Sequence, residues 1–291
     1  MGQVGRVGRV GRVGRVLGAV AAILVLSARG PHAEADKYLV YAVRFATRAG
    51  APLSAYVPGA APDRQVDVAF AFWVLKGADG RVVLDDTGFH RPSALARARA
   101  TGVVSPADAI APLGIHPGDV TDIFLTDMNW DHAGGVDLFP SARVWVQKDE
   151  YGYCAGDAWQ NGRPHTGVDA DDVVAVVERN VRERVTFLRG DDDTSISGIE
   201  FHRTGARPRA AQWITAQTPH GVVVLAADAA PLYENLDVPQ PVVKALDTRP
   251  DLRAAVEMRS LAARPGLVVP GRDLAVFSRF PAVSRGIVRI E

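Results

Sequence analysis

Residues 125–135 read Leu-Thr-Asp-Met-Asn-Trp-Asp-His-Ala-Gly-Gly, and this stretch decides how the rest of the chain is interpreted. Residues 119–126 are rich in β-forming side chains, which predicts a short strand that ends in a glycine-containing loop. Polar residues at alternating positions past a strand end point into one cleft, because strand side chains alternate between faces. Asp127, Asn129 and Asp131 share that spacing. An ordinary strand-to-helix connection is the alternative, since Asn, Asp and Gly are common turn residues.

Four other motifs follow a fixed order along the chain. They are Val-Val-Leu-Asp-Asp-Thr-Gly-Phe at 82–89, Thr-Gly-Ala-Arg-Pro at 204–208, Gly-Val-Val-Val-Leu-Ala-Ala-Asp at 221–228 and Leu-Val-Val-Pro-Gly-Arg-Asp at 267–273. Together with residues 125–135 they resemble the metallo-β-lactamase superfamily, whose metal-binding loop has the signature H-x-H-x-D-H. Residues 41–47 and 232–236 further resemble its N-acyl homoserine lactonase-like branch. The resemblance spans residues 37–291 and implies an α/β (α+β) fold, a four-layer αββα sandwich.

The resemblance also implies which residues stand at the metal-ligand positions of the family. The positions of the first metal, where three histidines are expected, are those of Asp127, Asn129 and Arg207. The positions of the second metal are those of Asp131, His132 and Arg272, with Asp228 as the bridge between the metals. A guanidinium group stays protonated and has no lone pair to offer, so the arginines cannot be metal ligands.

The charges at these positions predict a different kind of centre. Three of the positions carry aspartates, and buried carboxylates need hydrogen-bonded partners or a raised pKa. Arg207 and Arg272 bring two positive charges, and a protonated His132 would bring the third. We therefore predict an Arg-Asp salt-bridge cluster in the space of the two metals, with no cofactor. If the Arg207 side chain points to solvent, Arg203 or Arg209 is an equally good candidate to line the site of this cluster.

Two functional hypotheses follow from these replacements. Hydrolysis in the family depends on metal-bound water, whose pKa falls to about 7. The first hypothesis is a divergent member that has lost the dinuclear zinc centre and its hydrolase activity, and that binds a small acyl or lactone-like ligand. The second is an active hydrolase of lactones or esters, using one zinc ion at Asp131, His132 and Asp228 or metal-free chemistry. In the metal-free case Asp127 or Asp131 is the general base, and Tyr233 faces the substrate.

Composition fits one globular domain over residues 37–291. The chain has 291 residues, of which 47% are hydrophobic and 23% charged, enough to bury a substantial core. A formal net charge of zero gives no indication of nucleic-acid or anionic-membrane partners. Cys154 is the single cysteine, which excludes an internal disulfide and favours a small packed side chain.

Residues 1–36 form an N-terminal extension with a candidate signal segment. Gly-Arg-Val triplets over residues 4–16 precede an apolar run at 17–26 and the sequence Ala-Glu-Ala at 33–35. This order resembles a secretory signal with cleavage after Ala35, so we expect export in preference to a cytoplasmic location. The apolar run is too short for a stable membrane span. An unstructured low-complexity extension is the alternative.

Periodicity alone predicts a mixed α and β class. Strands are expected at 66–75, 81–84, 142–147 and 185–188. Helices are expected at 93–101, 170–184 and 250–263.

Overall fold

The computed structural model describes residues 37–160, 167–190, 193–204, 212–237 and 248–291. The predictions for residues 1–36, Arg207 and Arg209 lie outside the described residues. Within them, no helix combines the length and the apolar character needed to cross a membrane.

The strands of the described chain form two sheets. Their bounds are β1 (Tyr38–Pro52), β2 (Gln65–Gly77), β3 (Val82–Asp85), β4 (Asp122–Phe124), β5 (Arg143–Gln147), β6 (Val185–Leu188), β7 (Asp193–Ile196), β8 (Ile199–Arg203), β9 (Gln212–Thr218), β10 (Gly221–Leu225), β11 (Val268–Val269), β12 (Ala282–Ser284) and β13 (Ile287–Ile290). The larger sheet has the order β12-β13-β1-β2-β3-β4-β5-β6, and the smaller has the order β11-β10-β9-β8-β7.

Helices connect and cover these strands. Their bounds are α1 (Pro92–Ala98), α2 (Pro106–Ala109), α3 (Trp130–Ala133), α4 (Lys148–Ala155), α5 (Ala170–Val181), α6 (Tyr233–Asp237), α7 (Thr248–Leu261) and α8 (Val276–Arg279). The strands and helices predicted from periodicity are all present, with ends that differ by a few residues, as expected for frayed element ends.

The larger sheet is buried on both faces because successive side chains of its strands point into two different hydrophobic clusters. In β5, Trp145 points into the cluster between the two sheets, whereas Val144 and Val146 point into the cluster on the opposite face. The same alternation in β2 sends Trp73 between the sheets and Phe72 to the opposite face. Strands buried on both faces are typical of sheets with layers on either side.

Helices complete the outer layers. Val173 and Val176 of α5 belong to the cluster on the outer face of the larger sheet. Met258 of α7 belongs to the other cluster, and α7 packs against β10 of the smaller sheet. The predicted four-layer αββα sandwich is therefore confirmed.

The strand directions bring four loops together. Strands β3 and β4 are parallel neighbours in the larger sheet, and β10 and β11 are parallel neighbours in the smaller one. Parallel strands place their carboxyl ends at one edge of a sheet, where open α/β folds bind ligands. Asp86 and Asp127 follow β3 and β4, while Asp228 and Arg272 follow β10 and β11.

Candidate functional site

Arg272 lies at the centre of a polar cluster where these four loops meet. Its Nη2 atom is 2.6 Å from Oδ2 of Asp131, and its Nε atom donates to Oδ1 of Asp228 at 2.8 Å. The residue is only 8% exposed, and its guanidinium also lies 5.8 Å from the ring centroid of Phe70. Burial lowers the pKa of Arg272, but Asp131 and Asp228 outweigh it and hold the pKa well above its ordinary value. Arg272 therefore supplies a fixed positive charge to two carboxylates.

His132 joins this cluster from α3. Its Nδ1 atom is 2.6 Å from Oδ2 of Asp86 and 3.0 Å from the hydroxyl of Thr126. Its Nε2 atom is 2.9 Å from Nη2 of Arg272. Burial lowers the pKa of His132, but the surrounding carboxylates outweigh it and hold the pKa well above its ordinary value. The contact with Arg272 acts in the opposite sense, because a guanidinium donor needs the Nε2 lone pair.

The 2.9 Å contact favours a neutral ring with its proton on Nδ1, because two donors cannot share it, whereas the carboxylates favour the protonated ring. The expectation that a protonated His132 supplies the third positive charge agrees with the raised pKa and is opposed by the contact with Arg272. The side chain of Asp86 also accepts bonds from the amide and the hydroxyl of Thr126, at 2.9 and 2.8 Å. Asp86 thus fixes the His132 ring on the side away from Arg272.

The Thr-Gly pair that follows Asp86 holds the short helix α3 in place. The Thr87 hydroxyl donates to the His132 carbonyl at 2.7 Å and accepts from the Gly135 amide at 3.1 Å. A Cβ atom on Gly88 or Gly134 would clash with neighbouring atoms. Glycine at positions 88 and 134 therefore allows close packing around these two loops.

Asp127 and Asn129 form a local pair rather than joining Arg272. Oδ1 of Asp127 accepts from the Asn129 amide and Oδ2 accepts from the Asn129 side chain, both at 2.8 Å. Burial raises the pKa of Asp127 to about 6, His132 and the Asn129 amide oppose the rise, and Asp228 and Asp86 add to it. A pKa of about 6 leaves most of this carboxylate ionised at neutral pH, and the two bonds from Asn129 stabilise its charge.

The space between these residues is small. A cavity of about 10 Å³ is lined by Phe70, Ala71, Trp73, Asp86, Asp131, His132, Ala227, Asp228, Gly271 and Arg272. That volume holds about one water molecule. Among the described residues, Asp127, His132 and Asp228 offer ligand atoms that all lie within 4.8 Å of one another, a spacing that suits one metal ion. The compact set thus contains Asp127 in place of the predicted Asp131.

The loops that carry Asp228 and Arg272 cross at close range. A Cβ atom on Gly271 would clash with the carbonyl oxygen of Ala227, whose own φ is +46°. The amide of Arg272 donates to the Pro231 carbonyl at 2.8 Å. Glycine at position 271 therefore allows Arg272 to reach Asp228.

Tyr233, a predicted catalytic residue, lies in the hydrophobic core beside this crossing. Its ring is covered by the Arg279 guanidinium, 3.8 Å from the centroid, and burial raises its pKa to about 12. It is not among the residues that line the small cavity. Its amide donates to Asp273 at 2.9 Å.

Sequence reasoning missed several residues that support the site. Glu150 of α4 accepts the Met128 amide at 3.0 Å and fixes the loop beside Asp127. The Gln212 side chain donates to the Leu125 carbonyl at 2.8 Å and so ties the smaller sheet to the loop after β4. A lone Glu in a helix and a Gln at a strand start carry no motif that marks this role.

Comparison with known proteins agrees with this geometry. The family model described as the metallo-beta-lactamase superfamily matches residues 66–272. The chain belongs to this superfamily. The match includes the loop of residues 125–135 and reaches Arg272, so it covers the described cluster. Within the superfamily, the proteins that this chain resembles include N-acyl homoserine lactonases.

Two curated relatives are N-acyl homoserine lactonases named AttM. The protein from Azorhizobium caulinodans is 27% identical over 172 residues, covering 56% of this chain and 62% of that protein. The protein from Rhizobium johnstonii is 26% identical over 183 residues, covering 60% of this chain and 65% of that protein. The matched part of this chain therefore spans less than two thirds of the length of either relative.

Solved structures share the fold at low sequence identity. A variant of AiiA from B. thuringiensis with N-decanoyl-L-homoserine at its active site has a TM-score of 0.68 and 16% identity, covering 85% of this chain and 98% of that one. AidC, described as a dizinc quorum-quenching lactonase in complex with a product, has a TM-score of 0.60 and 14% identity, covering 89% and 98%.

Proposed function

We propose that this chain is a divergent member of the lactonase-like branch in which Arg272 takes the place of the metal pair. In this proposal the chain binds a small acyl or lactone-like ligand and does not hydrolyse it by the two-metal route. The observation that carries the proposal is the position of the Arg272 guanidinium, which contacts Asp131, Asp228 and His132 within 2.9 Å.

A metal pair does not suit the donor set that surrounds Arg272. The guanidinium already engages Nε2 of His132 and one oxygen each of Asp131 and Asp228. Both oxygens of Asp127 accept hydrogen bonds from Asn129. A divalent cation would also be repelled by the buried guanidinium charge a few ångströms away. The same carboxylates cannot serve Arg272 and two metals together.

The chain's own residues define what the cluster does without metals. Asp86 orients His132, and Arg272 pairs with both Asp131 and Asp228, so each buried polar group named here has a partner. Such a network fixes the four loops relative to each other. The AiiA variant binds N-decanoyl-L-homoserine, so N-acyl homoserines are the ligand class to test first.

The decisive experiment measures metal content. The full chain is expressed with zinc supplied, purified and analysed for bound metals by mass spectrometry. We expect much less than one zinc per chain. The variant Arg272→His removes the guanidinium and adds a nitrogen ligand, so it should gain bound zinc and a zinc-dependent rise in melting temperature. Adding Asp127→His and Asn129→His should raise the zinc content further.

Arg279→His is the matched control, because Arg279 covers Tyr233 and makes no contact with the carboxylate cluster. It should leave the zinc content unchanged. One or two tightly bound zinc ions in the unaltered chain would overturn the proposal. A thermal shift with N-decanoyl-L-homoserine tests the ligand class separately, and absence of any shift at millimolar concentration would contradict that part.

A single-metal hydrolase is the second candidate, and one observation favours it. Asp127, His132 and Asp228 offer a compact set of one nitrogen and two carboxylate ligands. A zinc ion bound there would lower the pKa of a coordinated water and polarise a carbonyl group. Ion binding would require Arg272 to leave His132 and Asp228.

The two candidates differ in their response to Asp127→Asn. If one metal is bound, this change removes a ligand and should lower the zinc content and any N-acyl homoserine lactone hydrolysis together. If the arginine cluster is correct, zinc stays absent and the ring-opening rate stays at the buffer level in both proteins. Zinc-dependent ring opening that Asp127→Asn abolishes would select the single-metal hydrolase.

A further inference from the structure

Two arginines lie side by side where strands β5 and β6 begin. These strands are parallel neighbours whose register places Val144 beside Val185, so the preceding residues, Arg143 and Arg184, are also adjacent. The Val144 amide donates to the Arg184 carbonyl at 2.9 Å, which extends the ladder to this point. Neighbouring strands are about 4.8 Å apart, so the two like charges repel each other. The Arg272 cluster lies beyond the opposite ends of the parallel strands, so this pair is separate from it.

No carboxylate neutralises either arginine among the residues that the structure describes. Arg143 and Arg184 are both exposed. Nη1 of Arg143 is 3.4 Å from the Thr186 hydroxyl, and Nη1 of Arg184 donates to the Ser141 carbonyl at 2.7 Å. A guanidinium carries several N–H donors, so most donors of the pair remain available to a ligand. Burial lowers the pKa of Arg179 and the nearby charge of Arg184 lowers it further, which indicates an uncompensated positive potential here.

The acid that adjoins Arg143 in the sheet is engaged elsewhere. Asp122 of β4 lies beside Arg143 in the register and is 6% exposed. Its Oδ1 atom accepts from Nε1 of Trp145 at 2.8 Å, and its Oδ2 atom accepts from the Thr121 hydroxyl at 2.8 Å. Oδ2 also lies 3.5 Å from Nη1 of Arg81. The carboxylate charge of Asp122 therefore serves Arg81 and leaves Arg143 without a counter-ion.

A groove of about 860 Å³ runs along these strand starts, a volume in the range of small-molecule sites. Arg143, Arg184 and the Ser141 hydroxyl belong to its lining, which is mostly polar. Of its other charged residues, Arg81 contacts both Asp79 and Asp122, and Arg182 pairs with Glu178. The exposed Glu183 is the remaining acid of the lining, so the two adjacent arginines leave an excess of positive charge.

We propose that this groove binds the phosphate group of a small phosphorylated molecule between Arg143 and Arg184. A phosphate dianion accepts hydrogen bonds from both guanidinium groups, and its charge removes their repulsion. The Ser141 hydroxyl is a further donor at the same place. A small molecule is favoured over a nucleic acid as the source of the phosphate, because the chain has a formal net charge of zero and these arginines are confined to one groove.

Calorimetric titration of the full chain with inorganic phosphate tests this proposal. At pH 8 and low ionic strength we expect saturable binding with a dissociation constant of about 1 mM or below. Acetate, a single negative charge, should bind at least about tenfold more weakly. Arg143→Gln and Arg184→Gln should each raise the dissociation constant for phosphate at least about tenfold. Arg285→Gln is the matched control, since Arg285 is an exposed arginine between β12 and β13, at the other edge of the larger sheet, and its change should have no effect.

Thermal unfolding distinguishes a binding role of Arg143 from a structural one. Without phosphate, Arg143→Gln should melt at the same temperature as the unaltered chain or higher, because it relieves the repulsion with Arg184. With phosphate at 10 mM, the unaltered chain and Arg285→Gln should gain stability and Arg143→Gln should not.

Three results would overturn the proposal. They are the absence of saturable phosphate binding, equal weakening by Arg143→Gln and Arg285→Gln, and a phosphate-free melting temperature of Arg143→Gln that falls as far as its melting temperature in phosphate. A short single-stranded DNA that binds at least about tenfold more tightly than phosphate, and loses this affinity in Arg184→Gln, would contradict the small-molecule ligand.

Discussion

Two buried arginines in this molecule serve opposite purposes. Arg272 and Arg179 are 8% and 7% exposed. Arg272 lies among carboxylates, which hold its pKa well above the ordinary value despite burial. Arg179 donates to three backbone carbonyls, those of Ala142 and Val136 at 2.8 Å and that of Phe139 at 2.9 Å. Burial, with a further contribution from Arg184, lowers the pKa of Arg179.

The difference shows that burial alone does not reveal what a charged side chain does. Around Arg179 the donors bind three carbonyls of the segment that leads into β5, so the side chain contributes to the stability of that segment. Around Arg272 the charge itself is required, since two acidic side chains depend on it. Substitutions that remove the charge or the donors separate these two roles.

The largest loss of stability is expected for Arg179→Met. This change removes three hydrogen bonds from a charged donor to backbone carbonyls, which should cost about 3–5 kcal/mol of the free energy of unfolding. Urea unfolding at several pH values measures it. Because no acidic partner is involved, the loss should be nearly the same from pH 5 to pH 8. A strongly pH-dependent loss would contradict the role assigned to Arg179.

Arg272→Met should cost somewhat less, about 2–4 kcal/mol at neutral pH, because it leaves Asp131 and Asp228 without a counter-charge. Zinc should partly restore the stability of this variant, because a cation can replace the missing charge, and it should not restore that of Arg179→Met. A loss that zinc does not change would show that Arg272 acts as packing alone.

Glu150→Gln tests the reverse case, a buried acid without a cation. Burial raises the pKa of Glu150 from 4.5 to about 7, with Asp127 adding to the rise. A raised folded-state pKa means that its stability contribution is complete below about pH 4.5 and is lost as the pH rises through 7. Relative to the unaltered chain, Glu150→Gln should therefore gain about 1–3 kcal/mol between pH 5 and pH 8. Unfolding curves that stay parallel over this range would argue against a buried, protonated Glu150.

The smallest effect is expected for Arg64→Ala. Arg64 pairs with Glu234 at 3.2 Å, and both side chains are about half exposed. Solvent screens such a pair, so its loss should change the free energy of unfolding by about 0.5 kcal/mol or less. A change above about 2 kcal/mol, measured by the same urea series, would show that exposure is a poor guide to the value of an arginine in this fold.

The fold could be predicted from the sequence because its motifs are local and follow a fixed order. The Asp-Thr-Gly turn at residues 86–88 and the Pro-Gly pair at 270–271 each need a particular backbone path, and residue type reports such paths directly. Strands β2 and β5 could also be predicted from the sequence, since each contains consecutive apolar side chains that become buried.

The geometry of the cluster was harder to predict. Charge counting suggested that arginines would meet the aspartates, and Arg272 does so. Charge counting did not indicate that Asp127 would accept hydrogen bonds from Asn129 in place of an arginine. A local bond between a side chain and the backbone competes with a long-range ion pair. Glu150 was missed for the opposite reason, since its contact with Met128 joins a helix to a loop 22 residues away.

Asp228, after β10, and Asp131, within α3, share a cation that is part of the polypeptide. A positive charge attached to the main chain has no dissociation constant, so its presence does not depend on the concentration of any ion around the protein. Chelators that strip exchangeable cations would leave the Arg272 contacts with Asp131 and Asp228 in place. In the arginine-centred arrangement that we propose, the counter-ion of the cluster is therefore encoded in the sequence and is not drawn from the surroundings.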